Sequence, residues 1–280
     1  MIFALNSYIT SDLLARHLGA EHTGPSVTIT KFGDWRSAKE GCLCFVDDVE
    51  KQCNQKSIVI SDVAIKECRT NIIFINPRLA FIQALSFFLD SGYISQSFLG
   101  KIHESANIAS SAIIEDGAEL NAGVVVGPGS YVKACVVLGA NSMVGANSVL
   151  GHDGFGFEKN NQAAPIRFPH FGKLVIGEDC EIGNCCSISR GTLNDTIIKN
   201  GVKIDDHGYL AHNVLVSDNS YIMAGVRLNG SVEVGEDCWI GTNAIVREGI
   251  TIHNNSTVGM GSVVLNNVGV GSVVYGNPSK

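Results

Sequence analysis

Every sixth residue from Ile102 to Leu150 is Ile, Leu or Val: Ile102, Ile108, Ile114, Leu120, Val126, Val132, Leu138, Val144 and Leu150. The register returns at Ile176, Ile182 and Ile188. It then runs from Ile198 through Ile204, Leu210, Val216, Ile222, Leu228, Val234, Ile240, Val246, Ile252, Val258 and Val264 to Val270. A period of six fits neither an α-helix nor an ordinary sheet ladder, and is the signature of a hexapeptide parallel β-helix. Three hexads make one triangular coil, with an aliphatic anchor pointing inward from each side and Gly, Asn and Asp turning the corners. The expected fold class is therefore mainly β, a left-handed parallel β-helix preceded by a small α/β domain. Each anchor buried inside such a prism stabilises it by about 1.5–3 kcal/mol. Residues eighteen apart should lie one above another, so spacing along the chain translates into proximity in space.

The hexads are absent before about Lys101, which predicts a separate domain over residues 1–98 and the helix over 99–280. Thr10-Ser11-Asp12 before Leu13-Leu14-Ala15-Arg16-His17-Leu18, closed by Gly19, reads as a capped short helix. Strands are expected at Val27–Ile29, Cys42–Val46, Ser57–Ile60 and Asn71–Ile75, and a helix from Pro77 carries Leu79, Phe81, Ile82, Leu85, Phe88 and Leu89 at helical spacing. Two interruptions break the register. The longer is an inserted loop over 151–175, from Gly151-His152-Asp153-Gly154-Phe155-Gly156-Phe157 to Phe168-Pro169-His170-Phe171-Gly172. The shorter is a slip within Ser189–Asp195. Insertions project from a solenoid and often mark its binding face, although such a loop can also pack on itself or on a neighbouring subunit.

Composition removes several classes of function. The formal net charge is −7 and no block of Lys and Arg occurs, which argues against a nucleic-acid partner. No apolar run reaches about 18 residues, so no membrane span is expected. The first residues lack the basic flank and apolar core of a signal peptide, and nine cysteines without CxxC pairs suit reduced, structural thiols; we expect a cytoplasmic protein.

No Ser/His/Asp triad, phosphate-cradling loop or GxGxxG following a strand is present. The stretch His207-Gly208-Tyr209-Leu210-Ala211-His212-Asn213-Val214 stands out, preceded by Asp205-Asp206. His212 lies two positions past the inward anchor Leu210 and should point outward near a corner. Asp206 is placed to orient it and raise its basicity. Gly230 follows His212 by eighteen residues, hence one coil above, where an exposed N–H can serve an oxyanion. The same glycine can instead be a corner residue chosen for positive φ. His152 and His170, in the inserted loop, are candidates for substrate contact. One rival chemistry is a zinc-dependent γ-type carbonic anhydrase, with His207, His212 and His170 as ligands. Another is a non-catalytic scaffold that binds sugar nucleotides.

Residues 151–157, 168–172, 190–198 and Ala211-His212-Asn213-Val214, with Leu43-Cys44-Phe45 and Asn76-Pro77-Arg78-Leu79-Ala80-Phe81 of the first domain, resemble UDP-3-O-(3-hydroxyacyl)glucosamine N-acyltransferases of the lipid A pathway. The resemblance implies a homotrimer with sites between neighbouring prisms and no metal or bound cofactor. It also implies a nucleotide-linked amino sugar as acceptor, and an acyl-CoA or acyl carrier protein thioester as co-substrate. It implies His212 as general base and the Gly230 amide as oxyanion donor. Phe45 would stack on the uracil base, and Asp153, Phe155, Phe157, His170 and Asn213 would contact substrate. Three departures stand out. Lys51 replaces a family Tyr and Asp48 an Asn in the uridine region, and Gly249 replaces a second His. The family's C-terminal helical extension is not matched. Instead, Tyr275-Gly276-Asn277-Pro278-Ser279-Lys280 is similar to the ending of coenzyme-A-dependent sugar acetyltransferases, so we expect an acyl-CoA donor, acetyl or short 3-hydroxyacyl.

Overall fold

The computed structural model describes residues 2–47, 54–95, 97–160 and 162–279. The chain divides into two compact units, one of residues 1–96 with 156–169, the other of residues 97–155 with 170–280. The middle of the inserted loop thus belongs to the first unit, whereas the sequence reading placed all of 151–175 in the helix domain.

The first unit is built on a six-stranded sheet of β1 (Ile2–Thr10), β2 (Glu21–Thr23), β3 (Thr28–Gly33), β4 (Cys42–Phe45), β5 (Ile58–Ser61) and β6 (Thr70–Ile73). Their order is β1-β3-β4-β5-β6-β2. Strands β3 to β6 run parallel, and the edges β1 and β2 are antiparallel to their neighbours. The central β5, Ile-Val-Ile-Ser, is buried at every position, as a parallel strand covered on both faces requires. The helix α1 (Ser11–Leu18) closes on Gly19, whose φ of 65° is the left-handed conformation that ends helices. The helix α2 (Pro77–Asp90) begins with Pro77 at its first turn, and the Asn76 side chain accepts a hydrogen bond from the Leu79 N–H at 3.0 Å. The edge strands β1 and β2 were not anticipated. Irregular pairing between Ala4 and Ile9 interrupts the alternation that would have announced β1.

The second unit is a left-handed parallel β-helix whose two- to four-residue strands form three parallel sheets of nine, eight and seven strands among the described residues. Each coil's anchor stacks on the next, as in Leu210 on Leu228, Val216 on Val234 and Ile222 on Ile240. These side chains are buried and form one continuous core. Across the two interruptions the partners shift, so that Leu150 pairs with Ile188 and Ile188 with Leu210. The helix resumes in phase because the extra residues leave the prism and return to the same face.

Two anchors depart from expectation. Ile102 lies at the open first coil and is 46% exposed, bridged only to Leu120. Val270 is 70% exposed, because the last coil is two residues short. Val268 takes the inward position and pairs with Ile252.

Cys180, Cys186 and Cys238 are buried thiols near corners, donating to the carbonyls of Lys199, Asp205 and His253. Burial raises the pKa of each, so they stay protonated and act as small apolar fillers. No helix among the described residues is long and apolar enough to cross a membrane.

Candidate functional site

His212 stands at the corner between the strands Tyr209–Leu210 and Leu215–Val216, half-buried. The next residue, Asn213, turns that corner with a φ of 62°. The Asn213 Nδ2 donates to the Asn194 carbonyl at 2.7 Å, and its N–H donates to Thr196 Oγ1 at 2.8 Å. The amide oxygen must then face the other way, where it accepts from Thr192 Oγ1 at 2.8 Å and meets His212 Nδ1 at 3.0 Å. An amide oxygen only accepts, so Nδ1 carries the proton and Nε2 keeps its lone pair. The ring is thereby set in the form a general base needs.

Gly230 lies directly above, as the spacing predicted. Its φ is not positive; Ser231 takes the left-handed corner at 59°. Glycine is required here by proximity instead: a Cβ would lie 2.8 Å from His212 Cε1 and 3.1 Å from Nε2. The Gly230 carbonyl accepts from the Gly249 N–H, while its own N–H has no acceptor among the described residues. At an equivalent corner, Glu236 donates its N–H to Asn254, eighteen residues on. The residue eighteen on from Gly230 is Glu248, and both line the same cleft as His212. That cleft, of about 580 Å³, is completed by Phe155, Tyr209, Ala211, Asn229, Ser231 and Gly249.

The first residues of the insertion cross the back of this corner. His152 hydrogen-bonds Ser187 Oγ at 2.9 Å and the Asp153 carbonyl at 3.0 Å. Asp153 approaches the buried guanidinium of Arg190 at 4.0 Å. Arg190 Nε donates to the Gly172 carbonyl at 2.6 Å and its guanidinium lies over the Phe98 ring. Residues of the second interruption therefore brace both ends of the first, and also Asn213. Asp195, in the same segment, accepts from the Lys173 N–H, and burial raises its pKa. Phe155 is 82% exposed at the rim of the cleft.

Several expected site residues take other roles or belong to the other unit. Asp206 does not orient His212. It sits at the preceding corner, beyond Tyr209–Leu210, where its carboxylate accepts from the Asn184 N–H at 2.6 Å and Asn184 Nδ2 at 2.9 Å. A corner carboxylate is claimed by the backbone of the coil below, and the orienting role passes to Asn213. His170 is 2% exposed, and its Nε2 accepts from the Gly154 N–H at 3.1 Å, so it offers no edge to a substrate. Phe45 and Phe157 belong to the first unit: Phe45 packs on Phe81 at 5.0 Å, and Phe157 lies beneath Arg167. Asp48 and Lys51 lie outside the described residues. For the zinc reading, His207 and His212 occupy successive corners on either side of one strand, and no three metal-binding side chains are grouped among the described residues.

Tyr209, Asn229, Ser231 and Glu248 were not singled out from the sequence. The column of eighteens through His212 and Gly230 continues to Glu248, so the signal was present.

Residues 231–266 match the bacterial transferase hexapeptide family (six repeats). A UDP-3-O-acylglucosamine N-acyltransferase of Bordetella pertussis is 35% identical over 119 residues, covering 41% of this chain and 33% of that protein. The protein of the same name from Herminiimonas arsenicoxydans is 38% identical over 112 residues, covering 40% and 32%. The chain thus spans about a third of the length of the curated relatives it matches. Among solved structures, a UDP-N-acetylglucosamine acyltransferase aligns with a TM-score of 0.54 at 22% identity, covering 66% of this chain and 72% of that one. That likeness is one of fold.

Proposed function

We propose that this chain is a sugar N-acyltransferase, moving an acyl group from a thioester to the amine of a nucleotide-linked amino sugar in the synthesis of a cell-surface polysaccharide or lipid A-type glycan. One observation carries the reading: an imidazole locked with its lone pair on Nε2 shares an open cleft with the unclaimed N–H of Gly230. The names of the relatives matched over part of their length support the same class.

An amine attacks only as the neutral base. As its nitrogen bonds to the thioester carbonyl carbon, His212 Nε2 takes the proton that nitrogen sheds. The Gly230 N–H donates to the carbonyl oxygen as it becomes an oxyanion. Collapse expels the thiolate, which receives the proton back from the imidazolium, leaving an amide and a free thiol. Asn213 Oδ1 holds Nδ1–H throughout and strengthens its grip when the ring is charged.

The donor in this reading is acyl-CoA, acetyl or short 3-hydroxyacyl, with acyl carrier protein as the alternative carrier. The working unit is a cytoplasmic homotrimer in which a neighbouring copy closes the cleft, and the first unit, with Phe45, handles the nucleotide. The test is a thioester-release screen pairing acetyl-CoA, 3-hydroxyacyl-CoA and acyl carrier protein donors with UDP- and dTDP-amino sugars. Release that depends on one amino sugar and is lost in His212→Ala is expected. Tight sugar-nucleotide binding without turnover of any thioester would instead support the scaffold reading.

A further inference from the structure

Behind His212 stands a second imidazole that the proposed reaction does not use. The rings of His170 and His212 meet edge-on, with centroids 5.8 Å apart at 76°. Between them runs Gly154. A Cβ there would lie 2.7 and 2.8 Å from His212 Cδ2 and Cβ, and 3.0 Å from His170 Nε2. Only a bare α-carbon fits that gap, so the main chain of Gly154 lies against the Cβ–Cδ2 edge of the base. The Gly154 N–H donates to His170 Nε2 at 3.1 Å. A ring nitrogen that accepts must hold a lone pair, which makes His170 neutral with its proton on Nδ1. The segment from His152 to Phe155 is pinned at its other end by the bond between His152 and Ser187.

We propose that His170 is a positioning residue: by holding the Gly154 amide it keeps this strap against His212 and fixes the angle at which Nε2 meets the incoming amine. The proposal rests on His212 acting as base, and it assigns to His170 a task that is neither substrate contact nor metal ligation. Its amide partner and its burial together exclude a direct contact with sugar.

The test uses the full-length chain labelled with 15N-histidine. His170→Ala is compared with His170→Gln, whose amide oxygen can accept the same N–H, and His212→Ala is run beside them. In His170→Ala, kcat should fall roughly 10- to 100-fold, the loss expected when a reacting group is displaced by about an ångström. The acceptor KM should stay within about twofold, since ground-state binding is untouched. The ring nitrogen signals of His212 should shift or broaden, and His170→Gln should restore most of both effects. Unchanged kcat and unchanged His212 signals in His170→Ala would overturn the proposal. So would a His170→Gln protein as impaired as His170→Ala, or a raised KM at constant kcat, which would make His170 a substrate contact. If His170→Ala fails to fold, His170→Gln is set against His170→Asn, whose shorter amide cannot reach Gly154, and the same contrast is expected. Should His212→Ala retain turnover, the base assignment falls, while the His212 ring signals still decide whether His170 holds the strap.

Discussion

His212 and Gly230 can be tested with single atoms. His212→Ala should lower turnover about 100- to 10,000-fold, the usual worth of a positioned acid–base group. The melting temperature should move little, because the ring lies outside the prism and takes no part in its apolar core. Asn213→Ala removes an acceptor from a ring that becomes charged in the reaction. A hydrogen bond to a charged group contributes about 1.5–3 kcal/mol, so steady-state kinetics should show a loss on the order of 10- to 150-fold in kcat. Gly230→Ala puts a methyl group 2.8 Å from His212 Cε1 and should abolish most turnover by pushing the ring aside. Gly261→Ala, away from this cleft, serves as the control for added bulk, since nothing lies within 4 Å of its Cβ position, though its φ of 67° adds some strain. At this scale the spacing of eighteen was enough to place His212 beneath Gly230. It was not enough to choose between Asp206 and Asn213 as partner to the ring. Both are polar residues near the base in sequence, and only the corner geometry shows that the Asp206 carboxylate is spent on Asn184.

Each coil is an element whose stability comes from one inward aliphatic on each side. Ile240 is fully buried between Ile222 and Val258. Ile240→Asp buries an unpaired carboxylate and leaves a cavity, which should cost more than about 4 kcal/mol in urea unfolding. Glu115 offers a smaller, pH-dependent test near the open first coils. Burial alone would raise its pKa, but hydrogen bonds from Tyr131, the Ala134 N–H and Lys133 lower it on balance. A carboxylate depressed in the folded state adds stability above its unfolded pKa and loses it as pH falls through the folded value. Glu115→Gln should therefore lower stability at pH 7 by about 0.2–1 kcal/mol, the range for a partly exposed pair. That difference should vanish once the solution is acid enough to protonate the wild-type carboxylate.

The elements themselves were largely legible. Hexads announced the coils because a buried aliphatic at each side leaves a periodic mark that outward residues cannot mask. The mark failed where the fold itself changes period: at Val270, where a short last coil moves the anchor to Val268, and at β1, whose irregular pairing erases alternation. The partners across the interruptions were also hidden. Nothing local in Leu150 says that its neighbour is Ile188.

For the whole molecule, the central expectation is assembly. The 29.7 kDa chain should sediment as a trimer, and a monomer that still acylates at full rate would remove the shared cleft from the proposal. The division of the inserted loop between two units was not readable from composition. Aromatic residues such as Phe155 and Phe157 look alike in sequence, yet one lies on the rim of the His212 cleft and the other in the hairpin 157–167 of the first unit.

The helix also imposes a rule on its own inheritance. Inserting six residues between Asn213 and Gly230 would keep every anchor facing inward, and the protein should remain folded. Yet everything downstream would be carried a third of the way around the axis, so base and amide would end on different faces. Even a whole turn of eighteen placed there would lift the amide a coil away from the base, so only lengthening outside the interval preserves both folding and catalysis. A stable variant one hexad longer in that interval should therefore be inert, and a lengthening by one complete coil placed beyond Gly249 should be silent.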